Sequence, residues 1–196
     1  MDPVSGASGA TERLITVVTG LPRSGTSLAM QWLEAAGIPP FTDGRRLADV
    51  SNPWGYYEAD IVQTLPVSTD WLERAEGCAL KVIHHLLPHL PGDRPCRVLV
   101  MERDLSAVLR SQRLMLERLG RPGANLPEEA MKRAYGAQLA AMEAWLERLP
   151  PERVHRQRFE AALEDPLEAA EGLLGWLGLS GEESLRRGVA AVVRPS

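Results

Sequence analysis

A loop near the start of the chain carries the kinds of residue that bind a phosphate or a sulfate. Residues 20–27 read GLPRSGTS; they follow a short apolar run and precede a helical pattern. A loop between a buried strand and a helix presents backbone N–H groups and the positive end of the helix dipole to an anion. The pattern therefore predicts an anion site in which Arg23 supplies the positive charge.

The two glycines of this loop, Gly20 and Gly25, have the spacing of the nucleotide-binding pattern GxxxxGK[ST]. In that pattern a Lys after the second Gly reaches the β- and γ-phosphates. Here Thr26 stands at the Lys position, and the cation is Arg23, inside the loop. A nucleotide hydrolase without its Lys would lose a charge that stabilises the transition state. The position of Arg23 inside the loop therefore argues against nucleotide hydrolysis and favours another reaction of a bound anion.

A second candidate phosphate site follows the apolar run at 97–101. Arg103 stands where this predicted strand ends, at the edge where open α/β sheets bind their ligands. Ser111 lies seven residues after Asp104, two helical turns along the same face. A guanidinium and a hydroxyl can share one phosphate. Alone, an Arg-Asp pair at a strand–helix junction usually forms only a helix cap and a salt bridge, but together with the first loop the two motifs become specific.

Both motifs resemble those of the sulfotransferase superfamily, whose members use 3′-phosphoadenosine 5′-phosphosulfate (PAPS), and in particular its small bacterial type. The first resembles the loop that holds the 5′-phosphosulfate, and the second resembles the 3′-phosphate site, with Arg103 and Ser111. The matching loop residues are Pro22, Arg23, Ser24, Gly25 and Thr26, with Ser27 as a conservative hydroxyl. The stretch RFEAALEDPLEAAEGLLGWLGL resembles a C-terminal part of the family that we interpret as structural, with Trp176 in place of Phe.

This resemblance runs from about residue 14 to residue 179. It implies that the protein binds PAPS and moves the sulfuryl group onto a hydroxyl or amine of an acceptor. Leu28 stands where the cytosolic enzymes place the Trp that stacks on adenine, so adenine must pack elsewhere. The chain is shorter than most sulfotransferases, and we expect it to lack some helices that wall the acceptor pocket in larger members.

The resemblance offers two positions for the base that takes the acceptor proton. The stretch 81–85, KVIHH, resembles the region where cytosolic enzymes place a His after a Lys, but Ile83 holds the expected position. Other branches use a Glu, and Glu58 occupies a comparable loop after the first helix. We favour Glu58 and keep His84 and His85 as alternatives. Lys81 would meet the sulfate or end a strand against solvent.

The elements that must position these residues alternate between strand and helix. This order predicts a P-loop-type three-layer α/β fold, in which helices flank a central parallel β-sheet with right-handed crossovers. Strands are predicted at 14–19, 78–83, 97–101 and 153–159, and the main helices at 28–36, 105–119, 128–149 and 166–177.

Length and composition limit the class of protein. The 196 residues suit one domain, predicted over 13–196 after a flexible tail at 1–12. With 22 Lys and Arg against 26 Asp and Glu, the net charge of −4 argues against nucleic acid and anionic membranes as partners. Cys78 and Cys96 have no zinc-binding spacing and suit a reducing compartment, so we expect no metal site and a cytoplasmic location.

The acceptor and the oligomeric state are not readable from the sequence. The aromatic loop with Trp54, Tyr56 and Tyr57 and the segment 120–127 should border the acceptor pocket, which could take a sugar, a phenol, a lipid or a peptide. Two other functions stay open. One is a P-loop nucleotide kinase or hydrolase, and the other is a non-catalytic module that binds PAPS or its product.

Overall fold

A parallel sheet of four strands forms the centre of the protein, in a computed structural model that describes residues 14–45, 55–121, 127–179 and 183–193. The strand order is β2-β1-β3-β4, and every neighbouring pair is parallel. This arrangement confirms the predicted fold class. The strands are β1 (Ile15–Gly20), β2 (Ala79–Lys81), β3 (Cys96–Glu102) and β4 (Val154–Arg158).

Six α-helices connect and cover these strands in the described part of the chain. Two predicted boundaries are confirmed: the Asp104 side chain caps a helix by accepting a 2.8 Å hydrogen bond from Ala107 N, and Gly178, at φ 74°, ends another. The helices are α1 (Thr26–Ala35), α2 (Leu105–Arg118), α3 (Glu128–Leu146), α4 (Phe159–Glu164), α5 (Pro166–Leu177) and α6 (Glu183–Ala190). The sequence did not predict α4 and α6. Among the helices described, none is long and apolar enough to cross a membrane.

Four short 3₁₀ helices complete the described elements. Three segments for which the sequence makes predictions fall, wholly or in part, outside the residues that the structure describes. The predicted tail at 1–12, Trp54 in the aromatic loop and residues 122–126 lie outside the described ranges. The 3₁₀ helices are Asp60–Thr64, Asp70–Ala75, Leu87–His89 and Pro151–Arg153.

Two apolar layers sandwich the sheet. Every residue of β1 is buried, as the continuous apolar run predicted, because side chains on both of its faces meet helices. On one face the core includes Trp71, Leu87, Met142, Trp145 and Leu146, from the 3₁₀ helices and α3. On the other it includes Met30, Trp32, Leu33, Leu173 and Val189, from α1, α5 and α6.

The strand order creates a crevice between the carboxyl ends of β1 and β3. The chain leaves β1 for β2 on one side, whereas β3 lies on the other side of β1. Connections that diverge from neighbouring strands leave a gap at their carboxyl ends, and open α/β sheets bind ligands there. The loop at 20–27 follows β1 and Arg103 follows β3, so the sheet brings the two predicted anion-binding segments to one place.

Candidate functional site

The loop at 20–27 lies tightly against β3. Gly20 has a φ of 149°, and a Cβ built there would lie 2.6 Å from the carbonyl oxygen of Met101 and 2.5 Å from Ser24 Oγ. Contacts this short cannot be relieved by a rotamer change, because one partner is backbone. Glycine is therefore needed at residue 20 for the close approach of the loop to the strand.

Arg23 connects the loop to both of the predicted phosphate-binding residues. Its backbone is left-handed, with a φ of 70°. Arg103 donates a 2.9 Å hydrogen bond from Nη1 to the Arg23 carbonyl, and Arg23 Nε donates one of 3.1 Å to Ser111 Oγ. A non-glycine residue in this conformation costs about 1–3 kcal/mol, and such strain concentrates at functional sites. The two hydrogen bonds hold Arg23, Arg103 and Ser111 together.

Ser24 has a different position from its neighbours in the loop. It is buried, its N–H donates to Leu21 O at 3.1 Å, and its Oγ has no hydrogen-bond partner among the described residues. It therefore shapes the turn and does not line the cavity described next. Gly25, at φ 100°, has no room for a side chain, because a Cβ there would lie 2.5 Å from a ring carbon of Phe159.

A cavity of about 490 Å³ opens in front of the loop. The other predicted loop residues, Pro22, Arg23, Gly25, Thr26 and Ser27, line it. Its cations are Arg23, Lys81 and Arg103, and its carboxylates are Glu58 and Asp60. The cavity thus gathers three cations and two carboxylates in a chain of net charge −4, a local positive excess that suits an anion.

Lys81 and Glu58 form an ion pair at the cavity wall. Lys81 Nζ lies 3.4 Å from Glu58 Oε1, 2.8 Å from the Tyr56 carbonyl and 3.3 Å from Ser27 Oγ. The Lys81 side chain is only 6% exposed, so these acceptors compensate for the water that its ammonium group has lost. Lys81 thereby links the loop at 20–27 to the segment that carries Glu58.

The backbone before Glu58 is also held in an unusual conformation. Tyr57 has a φ of 53°, and its hydroxyl donates a 2.7 Å hydrogen bond to Glu34 Oε2. Burial, with help from that carboxylate, raises the pKa of Tyr57 to about 12, so the donor proton stays in place near neutral pH. The Thr42 hydroxyl donates a 2.8 Å bond to the Glu58 carbonyl. These contacts fix where Glu58 stands at the cavity.

His84, three residues after the end of β2, lies on the opposite side of the backbone from the cavity. Residues 81–84 continue along β1, with Val82 N bonded to Val18 O and His84 N to Gly20 O. Side chains alternate along such a segment, so Lys81 and Ile83 line the cavity while His84 is buried beside α3. His84 Nε2 lies 2.6 Å from Gln138 Oε1, and burial lowers its pKa.

This placement favours Glu58 over His84 as the candidate base. The side chains that line the described cavity do not include His84 or His85, and the His85 side chain is exposed. The alternation of side chains along an extended segment could have predicted this placement from the sequence. If Lys81 faces the anion, Ile83 lies on the same face and His84 lies on the other.

The stretch after β4 belongs to the site, which the sequence analysis did not predict. The stretch RFEAAL was expected to be structural, but Phe159 lines the cavity, and the Arg103 guanidinium lies 4.3 Å above its ring. Glu160 accepts a 3.3 Å hydrogen bond from Arg103 Nε. The signal that could have identified them is their position directly after β4, at the same edge of the sheet as Arg103.

The cavity also has an apolar wall, on the side of Arg103 and α4. Part of it comes from residues after α6, a helix that the sequence did not predict. Its apolar side chains are Leu28, Met115, Phe159, Leu163, Val192 and Val193. This wall gives the cavity a surface that an aromatic base could pack against.

No family model and no curated protein matches the chain, whereas solved structures do. A sulfotransferase domain from the curacin biosynthetic pathway is 16% identical, with a TM-score of 0.55 over 88% of this chain and 76% of that one. A sulfotransferase from Alicyclobacillus acidocaldarius is 18% identical, with a TM-score of 0.54 over 91% and 90%.

A sulfotransferase from Mycobacterium tuberculosis H37Rv is 13% identical, with a TM-score of 0.59 over 91% of this chain and 71% of that one. Identities this low leave the roles of individual residues open, but three structures of one kind align over nine-tenths of the chain or nearly so. The chain therefore has the fold of the bacterial sulfotransferases.

Proposed function

We propose that this protein is a PAPS-dependent sulfotransferase that moves a sulfuryl group onto a hydroxyl or amine of an acceptor. The observation that carries the proposal is the meeting of Arg23 and Arg103 at one cavity, each from the end of a neighbouring strand, with Glu58 on the same cavity. We call Arg23, Arg103 and Ser111 the donor end. We call the segment 55–63, with Glu58 and Asp60, the acceptor end.

The donor end has the groups that a doubly phosphorylated adenosine needs. Arg23, Thr26 and Ser27 would hold the 5′-phosphosulfate at the start of α1, where the helix dipole favours negative charge. Arg103 and Ser111 would hold the 3′-phosphate, and the apolar wall would take the adenine that Leu28 alone cannot stack. When bound, PAPS supplies a sulfuryl group that is activated by attachment to phosphate.

Arg23 and Glu58 would perform the two tasks of the transfer. Glu58 would take the proton from the acceptor oxygen or nitrogen as this atom forms its bond to sulfur. Arg23 would stabilise the negative charge that the departing phosphate oxygen keeps when its bond to sulfur breaks. Lys81 would hold Glu58 and offer a positive charge beside the transferred group. We assign no catalytic step to His84.

The nucleotide kinase or hydrolase is less well supported by the contacts at β3. Glu102, which resembles an acidic strand end that would hold magnesium, accepts a 2.9 Å hydrogen bond from Arg156 and does not line the described cavity. Arg156 also pairs with Glu143, so Glu102 belongs to an ion-pair group on the β4 side. The P-loop Lys is absent as well.

A ligand panel tests the proposal directly. We expect adenosine 3′,5′-bisphosphate, without metal, to raise the melting temperature by about 5 °C at a hundredfold excess over its Kd, because ligand binding stabilises only the folded state. Mg-ATP should give no such increase. The opposite pattern would favour the kinase or hydrolase and reject the sulfotransferase.

A second assay separates an enzyme from a binding module. Labelled PAPS incubated with sugars, phenols, lipids and peptides should yield a labelled product with at least one class. If the bisphosphate binds but no acceptor in a broad panel is sulfated, the protein is a non-catalytic module.

The free thiols of Cys78 and Cys96 are consistent with our proposal that the protein works in the cytoplasm.

A further inference from the structure

Arg103 is held by a carboxylate as well as by the loop. Glu160, in the first turn of α4, accepts a 3.3 Å hydrogen bond from Arg103 Nε. The Arg103 side chain is 22% exposed and that of Glu160 is 38% exposed, so solvent only partly screens this pair. A negative charge thus lies beside the cation that the proposed function assigns to the 3′-phosphate.

The directions of these contacts leave one end of Arg103 for a ligand. A guanidinium has five N–H groups in one plane. The contacts found in the described residues use Nε, toward Glu160, and Nη1, toward the Arg23 carbonyl. Arg103 also lines the cavity, so a phosphate bound there would share one planar cation with the Glu160 carboxylate. Two anions on one guanidinium repel each other.

Glu160 is not needed to orient Arg103. The guanidinium stacks 4.3 Å above the Phe159 ring and donates 2.9 Å to the Arg23 carbonyl. Both contacts remain if Glu160 loses its charge. The main electrostatic consequence of the carboxylate is therefore to weaken the attraction between Arg103 and a second anion.

We propose that Glu160 is a built-in competitor of the 3′-phosphate, which lowers the affinity of the site for doubly phosphorylated ligands. The inference rests on the proposed function, because it takes Arg103 as the 3′-phosphate residue. Adenosine 3′,5′-bisphosphate is the product that must leave after each transfer. A carboxylate that weakens its binding favours release and limits product inhibition.

The test compares two ligands on one substitution. Glu160→Gln removes the charge but keeps an oxygen that can accept from Arg103 Nε. We expect adenosine 3′,5′-bisphosphate to bind about three- to tenfold more tightly to this variant, since a dianion feels about twice the repulsion of a single charge. Adenosine 5′-monophosphate has no 3′-phosphate, so its Kd should change less than about twofold. Titration calorimetry without metal measures both.

Glu168→Gln is the matched control. It removes the same charge from the first turn of the next helix, where the Glu168 side chain is exposed and contacts no cation in the described part of the chain. Neither ligand should change its affinity for this variant. Thermal melts of all three proteins ensure that the measured affinities belong to folded protein.

The possible results separate this inference from the function beneath it. If the wild type prefers the bisphosphate but Glu160→Gln leaves that preference unchanged or reduces it, Glu160 is not a competitor and the inference is overturned. If the wild type binds the two nucleotides equally or binds neither, Arg103 does not read a 3′-phosphate. The proposed function then fails, and the inference fails with it.

Discussion

The two ends of the cavity are built in different ways. The donor end lies on backbone turns at the ends of buried strands, where Gly20 leaves no room for a side chain beside the Met101 carbonyl and Arg103 holds the Arg23 carbonyl. The acceptor end depends on side chains nearer the surface: Thr42 bonds the Glu58 carbonyl, and an exposed Arg45–Asp60 ion pair lies beside it.

This difference in construction suggests that the geometry of the donor end is fixed, whereas the residues around the acceptor end can vary. A group donor needs its phosphates in one geometry for every reaction, and packed backbone supplies that rigidity. Exposed side-chain contacts can be replaced singly at low energetic cost, since an exposed ion pair contributes about 0–1 kcal/mol. We therefore expect substitutions at the donor end to affect binding and transfer together, and those at the acceptor end to affect transfer alone.

The largest effect is expected from Arg23→Ala at the donor end. Loss of the guanidinium removes the charge beside the departing phosphate oxygen, and turnover should fall by about 10²–10³-fold. Affinity for adenosine 3′,5′-bisphosphate should also fall. Labelled PAPS measures the first and calorimetry the second. Arg110→Ala, an exposed cation of the same type on α2, is the control and should keep both values. Turnover within about tenfold of wild type in Arg23→Ala would contradict the role of Arg23.

Glu58→Gln should have the next largest effect on turnover. It should affect transfer without affecting ligand binding at the donor end. Loss of the general base lowers turnover by about 10²-fold, whereas the bisphosphate Kd should stay within about twofold of wild type. Gln keeps an oxygen for the Lys81 ammonium, so the cavity wall should stay in place. The same assay on His84→Gln should give nearly wild-type turnover. If the two variants exchange these results, the base is His84.

The pH dependence of stability should show that His84 belongs to the core. Burial lowers its pKa in the folded protein, so below about pH 6.5 the unfolded chain binds the proton more readily. As the pH is lowered through this window, the free energy of unfolding should decrease by at most about 1.4 kcal/mol per pH unit for each buried histidine. The decrease should level off below the pKa of the histidine in the folded protein.

Urea denaturation at several pH values measures this slope. His155, whose pKa burial also lowers, contributes in the same direction, so His84→Gln should remove only part of the slope and His155→Gln another part. If the slope persists in the double variant, other groups cause it.

Thr42→Val should have the smallest effect. It removes the hydrogen bond that positions the Glu58 carbonyl, which contributes about 1 kcal/mol, so turnover should fall about fivefold or less. The bisphosphate Kd should not change. Thr64→Val is the matched control, because its hydroxyl bonds Ile61 O inside the same segment and does not touch Glu58. Weaker binding of adenosine 3′,5′-bisphosphate to Thr42→Val would mean that the acceptor end and the donor end of the cavity are coupled.

The donor loop was predictable because its pattern is local. A buried strand, a glycine-rich turn and a helix follow each other directly over residues 15–35, so the geometry of this loop needs no information from elsewhere. The position of Arg103 followed from a general rule, since parallel strands bring their carboxyl ends to one edge.

The partners of these residues were not predictable in the same way. Arg103 and Glu160 are 57 positions apart, and Lys81 and Glu58 are 23 apart, so their contacts depend on how whole elements pack. α4 has only six residues, too few for helical periodicity to stand out, and Val192 and Val193 reach the cavity only because α6 packs on α5 and α1.

The alternation at residues 81–84 has a consequence for how such proteins can diversify. Ile83 lines the cavity and His84 faces α3, so the loss of one residue between Lys81 and Ile83 would place His84 at the cavity-lining position that Ile83 holds. A single codon lost just after β2 would therefore move an imidazole into the cavity, while the sheet and the loop at 20–27 stay as they are. Evolution could change the proton acceptor by a shift in register, with no substitution at either position.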